Sequence, residues 1–208
     1  MTNENKISWL QILRRFWWDV TEPSERTYLV YSLIWQIPGP VGNMLRVRYL
    51  GSKMKRAGKG LLIQPGSRFR SIENLEVGEN STIGYDNFLQ AKGGLKLGNN
   101  VICAPGVKIW TTNHVFADPD IPVEQQGHTN APVVIEDDVF IASNAFILPG
   151  TTLSRGCVVS AGAVVSGKVY RPYSILGGNP ARVIGYRGGM TPDKVEEPRE
   201  ESRAAVGA

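Results

Sequence analysis

Residues 131–166 read APVVIEDDVFIASNAFILPGTTLSRGCVVSAGAVVS, and an aliphatic side chain stands at every sixth position of this stretch. This first row comprises Ile135, Ile141, Ile147, Leu153, Val159 and Val165. Four residues after each member follows a second small or branched side chain, in the series Val139, Ala145, Thr151, Cys157, Ala163 and Val169. An α-helix repeats every 3.6 residues and a strand every two, so a period of six fits neither. It predicts a parallel β-helix, in which three short strands form a coil of about 18 residues and coils stack at the ~4.8 Å spacing of paired strands.

The same period continues toward the N terminus. Its members there are Ile63, Phe69, Leu75, Val77, Ile83, Leu89, Leu95, Leu97, Cys103, Ile109 and Val115, with two-residue slips after Leu75 and Leu95. The one long break follows Val115, where a protruding loop (116–132) carries three prolines and a glycine. His114 stands at the root of that loop. Loops on rigid scaffolds commonly carry function, and imidazole titrates near neutral pH, so His114 is a candidate general base. Its position alone fits an ordinary surface histidine equally well.

Composition excludes several classes of protein. The chain has 208 residues, 42% of them hydrophobic, and a net charge of +4, which indicates one globular domain with tails. Two cysteines cannot build a disulfide framework. With no more than two histidines beside them, we expect no metal site. The apolar run 28–37 is shorter than the ~20 residues of a membrane span, and charges interrupt any secretory signal. We therefore expect a cytoplasmic protein.

The first 60 residues are predicted to be a helical, tryptophan-rich and basic region, with helices at 7–20, about 25–36 and about 41–56. Trp9, Leu13, Phe16, Trp17 and Val20 fall on one helical face. Residues 26–70 contain nine basic residues and no acid. Two interpretations remain open: solvated charges beside packed helices, or peripheral contact of residues 1–60 with anionic lipid at the inner face of the cell membrane. Nucleic acid is not an expected partner, because the basic residues are not interleaved with stacking aromatics.

The remaining chain divides into a β-helix domain at 61–187 and a C-terminal tail at 188–208. The tail mixes acids and bases and has few apolar residues, so it is predicted to be disordered.

Four segments carry a resemblance to a known family: NHVFADPDIPVEQQG (113–127), APVVIEDDVFIASNAFILPGTTL (131–153), VVSAGAVVS (158–166) and PYSILGGNPARVIGYR (172–187). They resemble the hexapeptide-repeat acyltransferases, and most closely the bacterial surface-polysaccharide, or colanic-acid-type, O-acetyltransferases. The resemblance implies a left-handed parallel β-helix and acetyl-CoA as the acyl donor. It also implies a homotrimer whose active sites lie between subunits.

The resemblance further implies roles for individual residues. His114 matches the catalytic base, and Ser143 matches the residue whose backbone N–H faces the thioester oxyanion. The positions that match cofactor contacts are Phe140, Ala142, Ala161, Gly162 and Arg182. Galactoside-type enzymes carry an asparagine where this chain has Gly84, and the nearest amide is Asn87. Asn87, Asn113 and Asp118 are the candidate contacts to the acceptor substrate.

Three functions follow as hypotheses. The first is an acetyl-CoA-dependent O-acetyltransferase that modifies a sugar hydroxyl of a surface polysaccharide or its precursor. The second is N-acetylation of a nucleotide-linked amino sugar, for which the same base would serve. The third is a non-catalytic β-helix scaffold, although a purely structural solenoid has no reason to break its repeat beside a histidine.

Overall fold

The computed structural model describes residues 7–190, 192–195 and 197. The helices are α1 (Trp9–Thr21), α2 (Pro23–Ile34) and α3 (Gly39–Gly51). The strands are β1 (Arg56–Ala57), β2 (Leu62–Ile63), β3 (Arg68–Arg70), β4 (Leu75–Val77), β5 (Thr82–Ile83), β6 (Phe88–Gln90), β7 (Leu95–Leu97), β8 (Ile102–Cys103), β9 (Lys108–Trp110), β10 (Thr112–His114), β11 (His128–Asn130), β12 (Val133–Ile135), β13 (Phe140–Ile141), β14 (Phe146–Ile147), β15 (Thr152–Leu153), β16 (Val158–Val159), β17 (Val164–Val165), β18 (Val169–Tyr170), β19 (Ser174–Gly178) and β20 (Ala181–Tyr186).

The strands form three parallel sheets that enclose one core, which confirms the predicted β-helix. Sheet A has the strand order β1-β4-β7-β12-β15-β18, sheet B β2-β5-β8-β13-β16-β19-β20 and sheet C β3-β6-β9-β14-β17. Each coil passes through sheets A, B and C in turn. The final strand β20 folds back antiparallel on β19 after a cis peptide bond at Asn179-Pro180.

Coil length varies along the helix. Ile63 pairs with Ile83 and Ile83 with Cys103, so the early coils hold 20 residues, because the two-residue slips are accommodated within them. Ile135 pairs with Leu153, so this later coil has the predicted length of 18 residues. The strand pairing therefore stacks each inward side chain on its counterpart in the coil before.

The aliphatic rows fill the core as predicted. All six members of the first row, from Ile135 to Val165, have no exposed surface, and complete burial of such a side chain contributes about 1.5–3 kcal/mol. Cys103 and Cys157 are buried free thiols within the same core.

Two of the predicted inward positions are wrong. Val169 is only half-buried, and Tyr170 takes the inward place opposite Leu153, because the last coil is one residue shorter. Val115 does not continue its row: the chain leaves the coil at Thr112, three residues before Val115 and four before the predicted start of the loop.

Helices α2 and α3 cover the open end of the first coil. Arg46 of α3 is fully buried, and its guanidinium donates from Nε to the carbonyl of Ile63 (2.7 Å) and from Nη1 to that of Ile37 (2.6 Å). Tyr31 of α2 donates its hydroxyl proton to the carbonyl of Ser67 (2.7 Å). A Cβ at Gly42 would lie 1.9 Å from the Ile37 oxygen, so this close approach requires glycine. The bonds to Ile63 and Ser67 satisfy carbonyls that the first coil would otherwise leave unpaired, and the bond to Ile37 holds the segment between α2 and α3.

The two ends of the chain differ from expectation. Helix α1 has no buried residue, although Ser8 caps it in a capping box with Gln11. No helix among the described residues combines the length and hydropathy needed to cross a bilayer.

In the predicted tail, Pro192–Lys194 forms a 3-10 turn and Val195 is buried, so the expectation of disorder does not hold for these residues. Residues 191, 196 and 198–208 of the tail lie outside the described residues, as do residues 1–6 of the N-terminal region.

Candidate active site

A two-stranded ribbon leaves the prism where sheet C meets sheet A. Thr111 anchors its root: its hydroxyl donates to the carbonyl of Gln90 (2.9 Å) and accepts from the N–H of Gly93 (2.8 Å). The N–H of Ala131 donates to the Thr111 carbonyl (3.0 Å) and closes the ribbon. A Cβ at Gly93 would lie 2.4 Å from that same carbonyl oxygen, so this position at the ribbon root requires glycine.

The ribbon places His114 opposite a second histidine. β10 and β11 pair antiparallel with His114 facing His128, and the two ring centroids are 4.2 Å apart at an interplanar angle of 44°. Both residues are exposed. His128 was not among the predicted site residues, because its contact with His114 joins residues 14 positions apart and depends on the strand register. A ribbon with Gly127 immediately before His128 was the available signal, since glycine is common where paired strands turn.

The tip of the ribbon is folded back by Gln126. Its side chain donates to the carbonyls of Asp118 (2.8 Å) and Ile121 (2.7 Å) and accepts from the Asp118 N–H (3.0 Å). The Asp118 carboxylate accepts the N–H of Asp120 (2.9 Å), so it stabilises the tip. Asn113 accepts the His114 N–H on its side-chain oxygen (3.0 Å) and is exposed beside the histidine.

A second corner of the prism, where sheet B meets sheet C, carries Ser143, Ala161 and Gly162. The N–H of Gly162 donates to the carbonyl of Ser143 (2.9 Å), and that of Asn144 donates to Pro105 in the coil before (3.0 Å). In both turns the N–H of the third residue, Asn144 or Gly162, thus donates to the previous coil, whereas the N–H of the second residue does not. Within the described chain, the N–H groups of Ser143 and Ala161 accordingly make no hydrogen bond. Neighbouring unpaired donors along one corner can receive an anionic or carbonyl oxygen.

The other predicted cofactor contacts lie on or beside sheet B. Phe140 of β13 points outward and is 39% exposed. The N–H of Ala142 is taken by the carbonyl of Val159 (2.9 Å), so only its remaining surface is available to a ligand. Arg182 lies exposed on β20, paired with Gly177. An exposed guanidinium at the end of the coil stack can bind phosphate.

The predicted substrate contact of Asn87 is not supported. Its side chain is fully buried and donates to the carbonyls of Ala104 (2.9 Å) and Tyr85 (3.2 Å). It therefore stabilises a coil corner, as Ser67 does one coil earlier by donating to Gly84 (2.7 Å).

The structure does not bring all predicted site residues together in one chain. His114 and Asn113 lie at the corner between sheets C and A, whereas Ser143, Ala161 and Gly162 lie at the corner between sheets B and C, with the outer face of sheet C between them. Among the described residues there is no group of three or more His, Cys, Asp or Glu side chains that could hold a metal ion.

Comparisons with known proteins agree with this architecture. A family model described as the hexapeptide repeat of succinyl-transferase matches residues 132–166. The chain is 34% identical over 139 residues to nodulation protein L of Rhizobium meliloti, covering 66% of this chain and 73% of that protein. It is also 34% identical over 129 residues to a proposed acetyltransferase of Dictyostelium discoideum, covering 61% of this chain but just under two thirds (65%) of that relative's length.

Solved structures show the same fold. A maltose O-acetyltransferase from Clostridium difficile is 27% identical with a TM-score of 0.69, covering 80% of this chain and 87% of its own. A hexapeptide-repeat acetyltransferase from Vibrio cholerae, complexed with acetyl coenzyme A, is 22% identical with a TM-score of 0.71, covering 80% of this chain and 91% of its own.

Proposed function

The chain belongs to the hexapeptide-repeat acyltransferase family, and from this premise we propose that it transfers the acetyl group of acetyl-CoA to a sugar hydroxyl of a surface polysaccharide or its precursor. The observation that carries the proposal is the pairing of two features: an exposed imidazole on a ribbon that interrupts the coil, and a corner with unpaired backbone donors. The complex of the Vibrio relative with acetyl coenzyme A supports the donor, and the maltose O-acetyltransferase supports a sugar hydroxyl as acceptor.

The reaction we propose is a direct transfer. His114 takes the proton of the acceptor hydroxyl while its oxygen attacks the thioester carbonyl carbon. The oxygen of the resulting tetrahedral intermediate carries a negative charge and accepts a hydrogen bond from the Ser143 N–H. When the C–S bond breaks, the protonated His114 gives its proton to the departing thiolate, so the base is restored and CoA leaves as the thiol.

The two halves of this site would come from different copies of the chain. Since His114 and Ser143 stand at different corners of one prism, a neighbouring copy has to bring one corner against the other. A homotrimer satisfies this requirement three times by symmetry. Exposed apolar side chains along the outer face of sheet B, namely Leu62, Ile102 and Phe140, supply a surface for such packing.

The surroundings of His114 support this assignment. The ring of His128 lies against it, so His128 is proposed as a positioning residue that limits the rotation of the base. Asn113 is retained as a proposed acceptor contact, because it is exposed next to His114. Asp118 is retained as well, because it is exposed and, in the part of the chain that the structure describes, only its Oδ1 accepts a hydrogen bond, from the N–H of Asp120 at the ribbon tip. Dependence on acetyl-CoA and two unpaired buried cysteines support a cytoplasmic location.

The test is a transfer assay with acetyl-CoA and a panel of acceptors, comparing hydroxyl sugars with amino sugars by mass spectrometry. We expect acetyl esters on hydroxyl sugars, and His114→Ala should lower turnover about 10²–10⁴-fold without changing the oligomeric state. Lys59→Gln, an exposed change outside the site, serves as the control. Unchanged turnover of His114→Ala would refute the assignment of the base, and acetylation of amines alone would replace the proposed acceptor by an amino sugar.

A further inference from the structure

Helix α1 presents a large uncovered apolar face. Trp9 is 80% exposed, Leu10 79%, Trp17 70%, Leu13 61% and Phe16 55%. At about 100° per residue these five side chains occupy less than half of the helix circumference. Their three aromatic rings alone expose on the order of 400 Å², since each such ring offers about 150–250 Å². With the leucines added, the patch reaches the upper limit for a typical soluble monomer.

The rest of the helix surface carries Arg14, Gln11 and Arg15, together with the exposed apolar side chains of Ile12 and Trp18. Arg14 lies next to the apolar face on the side of Leu10, whereas Ile12 separates Arg15 from that face on the other side. The single acid of the helix, Asp19, is half-buried. The guanidinium of Arg15 lies 5.1 Å from the ring centroid of Trp18. Arginines in this arrangement can extend toward headgroups while their stems stay with the apolar face.

Positive charge continues through the rest of the helical region and the first coil. Residues 26–70 hold no acid, and eight basic side chains there are exposed, namely Arg26, Arg48, Lys53, Lys55, Arg56, Lys59, Arg68 and Arg70. They do not form one face, because Arg56 lies on sheet A and Arg68 and Arg70 lie on sheet C. Lys55 is paired with Glu76 (2.7 Å). The ninth basic residue, Arg46, is buried in the cap, which corrects the expectation that the whole basic segment is available to a lipid surface.

From these observations we infer that α1 is an interfacial helix that docks the protein on anionic lipid. The apolar face with its indole rings matches the acyl boundary of a bilayer, and Arg14 and Arg15 of the same helix, with exposed bases of the helical region such as Arg26 and Arg48, match negatively charged headgroups. A second copy of the chain fits less well, because the patch is smaller than the ~800 Å² per partner that stable protein interfaces bury. The inference is independent of the proposed activity, and it would bring the acyl transfer to a surface where lipid-linked acceptors are held.

Vesicle co-sedimentation of the full chain tests the inference. Vesicles of phosphatidylcholine are compared with vesicles that contain one quarter phosphatidylglycerol, and we expect about tenfold or tighter binding to the anionic ones, weakened by salt. The double variant Trp9→Ser/Trp17→Ser should lose that binding about tenfold or more, whereas Trp18→Ala, on the side of the same helix turned away from the apolar face, should retain it. Because α1 has no buried residue, neither change should unfold the protein.

Light scattering of the same proteins gives the second measurement. Retention of the native oligomer by the double variant supports lipid docking. Equal binding of the wild type and the double variant, or no binding by either, overturns the inference. So does dissociation of the oligomer in the double variant without any loss of vesicle binding, since α1 would then be a contact between subunits.

Discussion

The buried guanidinium of Arg46 offers the sharpest test of how the helical region is joined to the β-helix. Arg46→Met keeps the length and apolar stem of the side chain and removes five N–H donors. The carbonyls of Ile63 and Ile37, bonded at 2.7 and 2.6 Å, are then left without these partners. An unsatisfied buried polar group costs about 1–3 kcal/mol. Two such groups, less the partial gain from burying the methionine side chain, give an expected decrease of about 3 kcal/mol in the free energy of unfolding.

Arg48→Met is the matched control, because Arg48 lies in the same helix two residues further on and is exposed. We expect it to change the free energy of unfolding by less than about 0.5 kcal/mol. Urea unfolding followed by circular dichroism measures both. In a chain of this size 1 kcal/mol shifts Tm by about 2–4 °C, so Arg46→Met should melt roughly 6–12 °C below the wild type. Equal unfolding midpoints for the two variants would refute the claim that Arg46 stabilises the cap.

Three further predictions concern the ribbon, the thiols and one ion pair. Gly93→Ala should displace the ribbon root, because its Cβ would meet a backbone oxygen at 2.4 Å. We expect the variant to lose a larger fraction of its transfer activity than of its free energy of unfolding, and equal fractional losses would contradict this. Burial raises the pKa of both Cys103 and Cys157 to about 12, so a thiol reagent at pH 8 should label neither in the native protein and both after denaturation. The hydrogen bond from Lys55 lowers the pKa of Glu76; Glu76→Gln should therefore cost up to about 1 kcal/mol at neutral pH, and nothing once the wild-type carboxylate is protonated as the pH falls through its lowered pKa.

The repeat was the part of the fold that could be predicted with most detail. Each inward side chain from Ile135 to Val165 is buried where the period placed it, because every coil repeats the same short-range arrangement of strand and turn. The errors occur where the period is perturbed. Because the last coil loses one residue, Val169 lies opposite Thr152 instead of at its predicted place, and Tyr170 lies opposite Leu153. Val115 leaves its row because the ribbon starts early.

The candidate site could be predicted only in part. The position of His114 beside the interruption is visible in the sequence. The contact of His114 with His128 is not, since it depends on the register of two strands separated by the ribbon tip. The burial of Asn87 was missed because an asparagine can bond either a ligand or the carbonyl of a neighbouring coil, and only the packed corner decides which.

The winding of the chain into stacked coils follows from the amino-acid sequence alone, because a period of six is a local property that every turn repeats. The sequence also predicts the apolar face of the first helix, within residues 7–20. The tertiary structure alone decided that Arg46 is a buried cap residue while its neighbour Arg48 is exposed. It also decided that His114 and Ser143 lie at separate corners of the prism. These properties depend on contacts between residues far apart in the chain, and such contacts form only when the coils, helices and ribbon pack together.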